Sequence, residues 1–445
     1  MRLNLWPVAL IVALLGAVAI TRPTGPARVP PPPLSVVLIL LDDVGPSEAA
    51  LLPSLFGAEG LASKGVSFTR CTAWPVCSPT RYAMLTGRYP RREGIGDLQM
   101  AAMPMPGPTT KGVALERNTI AEVFAPSYQT AYFGKWHLGR PELETGLLMG
   151  LSALEQARVS APVAPFVAGF EYAAEVNPDV PNSGLMASSH YDWWSGTAGS
   201  LQLSGTYTVD AQREAFLEWW ASTSGARMAW LSWSAAHSPY DVPPGGTLQG
   251  TPRLAFEQAV AYADMALADV LAAIDLETTY VLVTSDNGTP DDARPEGTPA
   301  GRWKFTTWEG GISVPLVIAG PGIGPGTSSR LVSLVDLPAT LAELVGLELT
   351  PGFEDSCSFA DELGAWVGEP ARAFTFSERY SVSYDDQTVR ENAWALRRVD
   401  PDGPGGPMES MDAFLTVPGD QPLQPPQSVK DRLLAELATI PPRGL

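Results

Sequence analysis

The most selective string in this 445-residue chain is Cys77-Ser78-Pro79-Thr80-Arg81, a C-x-P-x-R pattern that the chain's own composition would produce about 0.016 times by chance. It has company at a distance: Leu85-Thr86-Gly87-Arg88, Gly134-Lys135-Trp136-His137-Leu138-Gly139, Ser285-Asp286-Asn287-Gly288, and Lys304 ahead of Glu309-Gly310-Gly311. Asp42, Asp43, Asp286 and Asn287 offer only oxygen ligands, the preference of a hard divalent cation such as Ca²⁺ or Mg²⁺. The chain has three histidines, His137, His190 and His237, with no HExxH and no His-rich tract, so histidine is expected to serve as acid, base or hydrogen-bond donor rather than in a zinc cluster.

These residues follow short apolar runs. Ser35 to Leu41, Met228 to Trp233, Thr279 to Thr284 and Val314 to Ala319 read as buried strands, and Leu254 to Ile274 carries apolar residues at Phe256, Val260, Met265, Leu267, Val270 and Leu271, which predicts an amphipathic helix. Strand, helix, strand implies a parallel sheet, and the fold class is α/β. Open α/β sheets bind ligands beyond the carboxyl ends of their strands. Here Asp42 and Asp43 follow the first run, His237 follows the second, Asp286 and Asn287 follow the third, and Lys135 and His137 follow the short run Thr130 to Phe133. Any one of these alone could be an ordinary cap or turn residue. Four runs delivering polar side chains to one edge predict a site.

With those motifs in place, the sequence resembles the type I sulfatases of the alkaline-phosphatase superfamily, from about Val36 to about Val345. The resemblance implies a large, mostly parallel central sheet flanked by helices over 35–345. It also implies a smaller C-terminal α+β subdomain over 346–445 carrying an antiparallel sheet, for which Asn392 to Val399 would be a strand and Ser428 to Leu437 the final helix. Cys77 would be the residue that a formylglycine-generating enzyme oxidises, its aldehyde hydrate the nucleophile, and Arg81 would hold the modified side chain. Asp42, Asp43, Asp286 and Asn287, with the modified Cys77, would bind Ca²⁺, Mg²⁺ being the alternative. Lys135, His137, His237 and Lys304 would surround the sulfate, with His237 or Lys304 as the acid for the leaving alcohol. One hydroxyl of the hydrate would attack sulfur, and the other would let the sulfated intermediate collapse by C–O cleavage. The implied activity is hydrolysis of a small-molecule or carbohydrate sulfate ester. Two rivals share the scaffold: a phosphonate monoester or phosphodiester hydrolase, and a non-catalytic binding relative.

The pattern departs from the family in places. Ala236 stands where a proline usually precedes the histidine, and Leu51 to Gly65 lacks the usual wording while keeping apolar spacing that allows a helix. His190 lies in an aromatic cluster that reads first as core packing, Asp264 reads as a solvated helix residue, and Cys71 and Cys357 are candidates for a disulfide.

Composition bounds the rest. Hydrophobic residues at 45% with 17% charged describe a globular chain with a sizeable core, and the net charge of −19 disfavours nucleic acid and anionic membrane surfaces as partners. An anionic ester must therefore meet locally concentrated positive charge; of the five lysines, Lys135 and Lys304 fall in the motifs. Residues 1–21, charged at Arg2 and apolar from Leu5 to Ile20, read as an export signal or an uncleaved anchor, followed by a Pro-rich tether over 22–34. The expected location is the periplasm or beyond, with a membrane tether through residues 5–20 as the alternative.

Overall fold

Strand β1 spans Ser35–Leu41, and all seven of its residues are buried. Val36, Leu38 and Leu40 enter one apolar cluster while Val37, Ile39 and Leu41 enter another, so the strand is covered on both faces and its run is hydrophobic without alternation. A computed structural model describes residues 34–98, 118–139, 164–177, 189–191, 193–197, 200–364, 372–381, 384–400, 411–416, 421–422 and 425–443. The expected leader and all but the last residue of the tether lie outside them. Among the described residues no helix is long and apolar enough to cross a membrane.

The main sheet continues with β2 (Val66–Thr72), β3 (Gln129–Lys135), β4 (Tyr172–Asn177), β5 (Trp193–Thr197), β6 (Ser200–Ser204), β7 (Arg227–Ser232), β8 (Thr279–Ser285), β9 (Ser313–Ala319), β10 (Gly326–Ser328) and β11 (Val332–Ser333). Its order is β10-β2-β9-β8-β1-β7-β3-β4-β5-β6, with β11 beside β2. β8, β1, β7, β3 and β4 run parallel, whereas β9 is antiparallel to both β8 and β2, and β5 and β6 close the far side as an antiparallel pair. The sheet is therefore mixed but mostly parallel, as expected.

The predicted amphipathic helix is Pro252–Ala272, begun by Thr251, whose side chain accepts from Leu254 N. Phe256, Val260, Leu267 and Val270 face the sheet, but Met265 is 64% exposed, off the apolar stripe that the spacing suggested. Asp264 is not solvated: it is buried on this helix and accepts hydrogen bonds from Ser54 N (3.0 Å) and Ser54 Oγ (2.7 Å), satisfying donors at the start of the short helix Pro53–Phe56. The segment Leu51 to Gly65 does not form one helix. Pro53 and the glycines at 57 and 60 divide it into Pro53–Phe56 and a 3₁₀ turn at Leu61–Ser63.

A second sheet, antiparallel throughout, has the order β12 (Thr375–Ser381), β13 (Tyr384–Arg390), β14 (Trp394–Asp400), β15 (Met411–Thr416) and β16 (Gln421–Pro422). The final helix, Gln427–Thr439, buries Val429 and Leu433 against Phe376, Val389 and Leu396. Trp74, Ala83 and Tyr89 belong to the same apolar cluster, so the small sheet supports the back of the helix that begins at Cys77.

Candidate active site

The topology puts four strand ends side by side. Leu40 pairs with Ser232, Leu41 with Ser285 and Gly134 with Ser232, so β8, β1, β7 and β3 finish almost level. Asp286 and Asn287, Asp42 and Asp43, His237, and Lys135 with His137 follow from those ends. Gly134 has φ +95°, and a Cβ there would lie 1.8 Å from Ser232 O, so only glycine allows β3 this close to β7 immediately before Lys135.

Two chain reversals aim the side chains. Asp43 (φ 67°) and His137 (φ 54°) adopt left-handed backbone, a region in which Asp and His are enriched among non-glycine residues. In a strand, successive side chains point to opposite faces; the reversal at Asp43 breaks that alternation, and both Asp42 and Asp43 reach the same point. One ligand atom from each of Asp42, Asp43, Cys77 and His237 lies within 4.8 Å of the others.

Cys77 opens the helix Cys77–Thr86, every residue of which is buried. Thr80 Oγ1 accepts from Trp74 N (3.0 Å), tying the preceding loop to the first turn. Arg81, four residues after Cys77, lies on the same helix face. Its guanidinium donates to Asp286 Oδ2 through Nε (3.1 Å) and Nη2 (2.8 Å), and through Nη1 to Lys135 O (2.6 Å) and Ser232 Oγ (2.5 Å). Around Cys77 Sγ stand Asn287 Oδ1 at 3.3 Å, Lys135 Nζ at 3.5 Å and Asp42 Oδ1 at 3.7 Å. Lys135 Nζ is 2.6 Å from Asp42 Oδ2, Lys304 Nζ is 2.5 Å from Asp43 Oδ1, and Asn287 Nδ2 donates to Asp43 Oδ1 (2.7 Å).

Burial sets the protonation states. It pushes the Cys77 thiol well above its ordinary value, with Asp286 adding to the rise, so an unmodified Cys77 stays a neutral thiol. Burial is the largest influence on Lys135 and Lys304 and opposes their charge, but the surrounding acidic groups, led by Asp42 for Lys135 and by Asp43 for Lys304, together hold both ammonium groups above the usual lysine value. His237 is pushed well below the ordinary histidine value by burial and then by Lys304 and Lys135; His137 is pushed down by burial, Lys135, Arg81 and Lys304. His237 Nδ1 lies 2.6 Å from Ser238 O, which can only accept, so the ring proton sits on Nδ1 and the neutral Nε2, 3.7 Å from Asp43 Oδ2, carries none.

Three buried carboxylates thus face three buried cations, Arg81, Lys135 and Lys304, and leave the group near neutrality. Carboxylate and amide oxygens, all from buried residues, suit a hard divalent cation, and such an ion would add the positive charge that an anionic ester needs.

The ten expected residues gather around this cluster. His137 is buried and feels its charges from the adjoining loop. Ser232, which bridges Arg81 and Lys135 O, was missed, although a serine in the apolar run before His237 is a signal in itself. His190 is buried core, as its aromatic setting suggested, but its Nε2 also contacts His237 O at 2.9 Å and its Nδ1 contacts Thr208 Oγ1 at 2.9 Å. Cys71 and Cys357 are free thiols.

The sequence matches the family model Sulfatase over residues 35–347. It is similar to human arylsulfatase A (Homo sapiens), with 29% identity over 381 residues that cover 77% of this chain and 68% of that protein. N-acetylgalactosamine-6-sulfatase of the dog (Canis lupus familiaris) is also 29% identical, over 77% of this chain and 66% of that protein, so the chain spans about two thirds of these relatives. Among solved structures, Ps i-CgsB in complex with k-i-k-neocarrahexaose has the same fold, with a TM-score of 0.67 at 20% identity over 90% of each chain.

Proposed function

The chain belongs to the sulfatase family, and from that premise we propose that it hydrolyses a sulfate monoester using formylglycine made from Cys77 and a Ca²⁺ ion held by Asp42, Asp43, Asp286 and Asn287. The observation that carries this reading is the position of Cys77 Sγ, within 3.7 Å of Asp42, Asn287 and Lys135 at the meeting point of four strand ends. When bound, the cation supplies positive charge at a sulfate oxygen and lowers the pKa of the attacking hydroxyl.

The chain's own residues account for the rest. Lys135, beside Sγ, and Lys304, beside Asp43, neutralise the sulfate oxygens as charge moves toward the leaving group. Arg81 fixes Asp286 with two hydrogen bonds and, through Lys135 O, ties the lysine's backbone to the Cys77 helix. Of the two candidates for protonating the leaving alcohol, Lys304 presents an ammonium beside Asp43, while His237 in its Nδ1–H form has no proton on Nε2. Maturation by a formylglycine-generating enzyme and export through residues 1–21 belong to the same reading.

The test is a comparison of turnover on 4-nitrophenyl sulfate and on phenyl phosphonate esters by the matured protein. Sulfate turnover should dominate. Dominant phosphonate turnover would replace the sulfatase reading with the phosphonate hydrolase one, and binding without turnover of either would favour a non-catalytic relative.

A further inference from the structure

We infer that Asp386, in the middle of β13 on the small C-terminal sheet, is a positioning residue for Lys304; the inference rests on the sulfate-ester reading above. Lys304 is followed at once by a tight reversal, because Phe305 has φ 73°, a left-handed conformation that a bulky side chain rarely adopts unless its surroundings impose it. The backbone before the reversal is pinned twice: Lys304 N donates to Thr289 O (3.0 Å), and Phe305 N donates to Pro75 O (2.9 Å), two residues ahead of Cys77.

What holds the far side of the reversal is the C-terminal sheet. Thr307 N donates to Asp386 Oδ2 (2.8 Å), and Thr307 Oγ1 donates to Asp386 Oδ1 (2.6 Å), a fork that fixes both the backbone and the side chain of Thr307. Asp386 and Thr307 are both fully buried. Arg397 Nη2 balances the Asp386 charge at 2.8 Å, and Thr388 Oγ1 donates to Thr307 Oγ1 (2.7 Å). Arg379 Nη1 adds a bond to Phe305 O (3.2 Å). Asp386 is paired on both sides, with Arg379 and with Val399, so its backbone belongs to a rigid ladder.

Lys304 is therefore held on one side by the loops that carry Thr289 and Pro75 and on the other by the C-terminal sheet, where the Asp386 fork is the shortest tie to Thr307, and Thr388 (Oγ1 to Thr307 O, 3.2 Å) and Arg397 (Nε to Thr307 Oγ1, 3.2 Å) add to it. Releasing Thr307 lets the strained reversal at Phe305 relax, and the ammonium then moves off its place beside Asp43. A displacement of this kind, about 1 Å, is enough to cost on the order of 100-fold in rate.

The experiment is a double-mutant cycle on the matured enzyme with aryl sulfates of graded leaving-group pKa. Asp386→Asn preserves shape but offers one acceptor where two are used. It should lower kcat/KM by about 10- to 100-fold, with the same leaving-group dependence as Lys304→Ala. In the Lys304→Ala background it should cost less than about twofold, because it acts through the lysine. If the two losses multiply, or if the leaving-group dependence of Asp386→Asn differs from that of Lys304→Ala, Asp386 is a structural tie and the inference fails. Should Asp386→Asn not fold, Thr307→Val, which removes the hydroxyl arm and leaves the amide arm, is read by the same criteria. Wild-type turnover in the same assay separates the two levels. Its absence overturns the sulfatase reading and this inference with it, whereas multiplicative losses in an active enzyme overturn this inference alone.

Discussion

Cys77→Ala should reduce turnover of 4-nitrophenyl sulfate by about 10⁴-fold or more, the scale on which loss of a nucleophile is felt, while the protein stays folded. Cys77 is buried at the first turn of its helix, and relative to the unmodified thiol the substitution deletes one sulfur atom without adding a polar group, a change of at most about 1–2 kcal/mol in stability. Arg81, Lys135 and the carboxylates keep their mutual ion pairs, since none of those pairs runs through the sulfur. Circular dichroism and a thermal midpoint measured beside the kinetics separate chemistry from folding. Cys77→Ser sharpens the result: serine offers one hydroxyl for attack but lacks the second that lets the sulfated form collapse, so a single burst followed by near-arrest is expected. Activity within tenfold of wild type for the alanine variant would remove Cys77 from the reaction.

Asp286→Ala is the second large effect, and it acts on two properties at once. Asp286 Oδ2 takes both Arg81 bonds, and Oδ1 accepts from Asp43 N (3.2 Å), so the carboxylate anchors one proposed metal ligand as well as being another. Its removal leaves the Arg81 guanidinium buried without its main counter-charge, which costs about 3–5 kcal/mol. Cation affinity should fall by about 100-fold or more, read by calorimetric titration of Ca²⁺ into chelator-stripped protein, and turnover should fall with it. Asp286→Asn keeps the size and an acceptor for Asp43 N, so it should retain more stability while still losing affinity. Normal Ca²⁺ affinity in a folded Asp286 variant would place the metal site elsewhere.

How much of this was legible from sequence depends on whether the signal is local. β1 declares itself because a strand buried on both faces reads as an unbroken apolar run, here Val36 to Leu41, and the residues after it had to lie at the carboxyl edge of a parallel sheet. The site could therefore be assembled from four strand ends without knowing their order. The C-x-P-x-R string is local too, its i, i+4 spacing on a helix placing Arg81 beneath Cys77. Asp264 could not be read: its partner Ser54 is 210 positions away, and periodicity alone gives an acidic residue on a helix to solvent. Met265 has the same cause, since the stripe that meets the sheet is set by the helix's rotation against its neighbours. The link from His190 to His237 O and the fork from Asp386 to Thr307 are also tertiary, and neither leaves a trace in the local sequence.

Mass spectrometry of the peptide containing Cys77, taken from protein produced in a host that carries the maturation enzyme, tests the account most directly. Residue 77 should have lost its sulfur and carry an aldehyde or its hydrate. An intact thiol at that position in protein that turns over sulfate esters would contradict it.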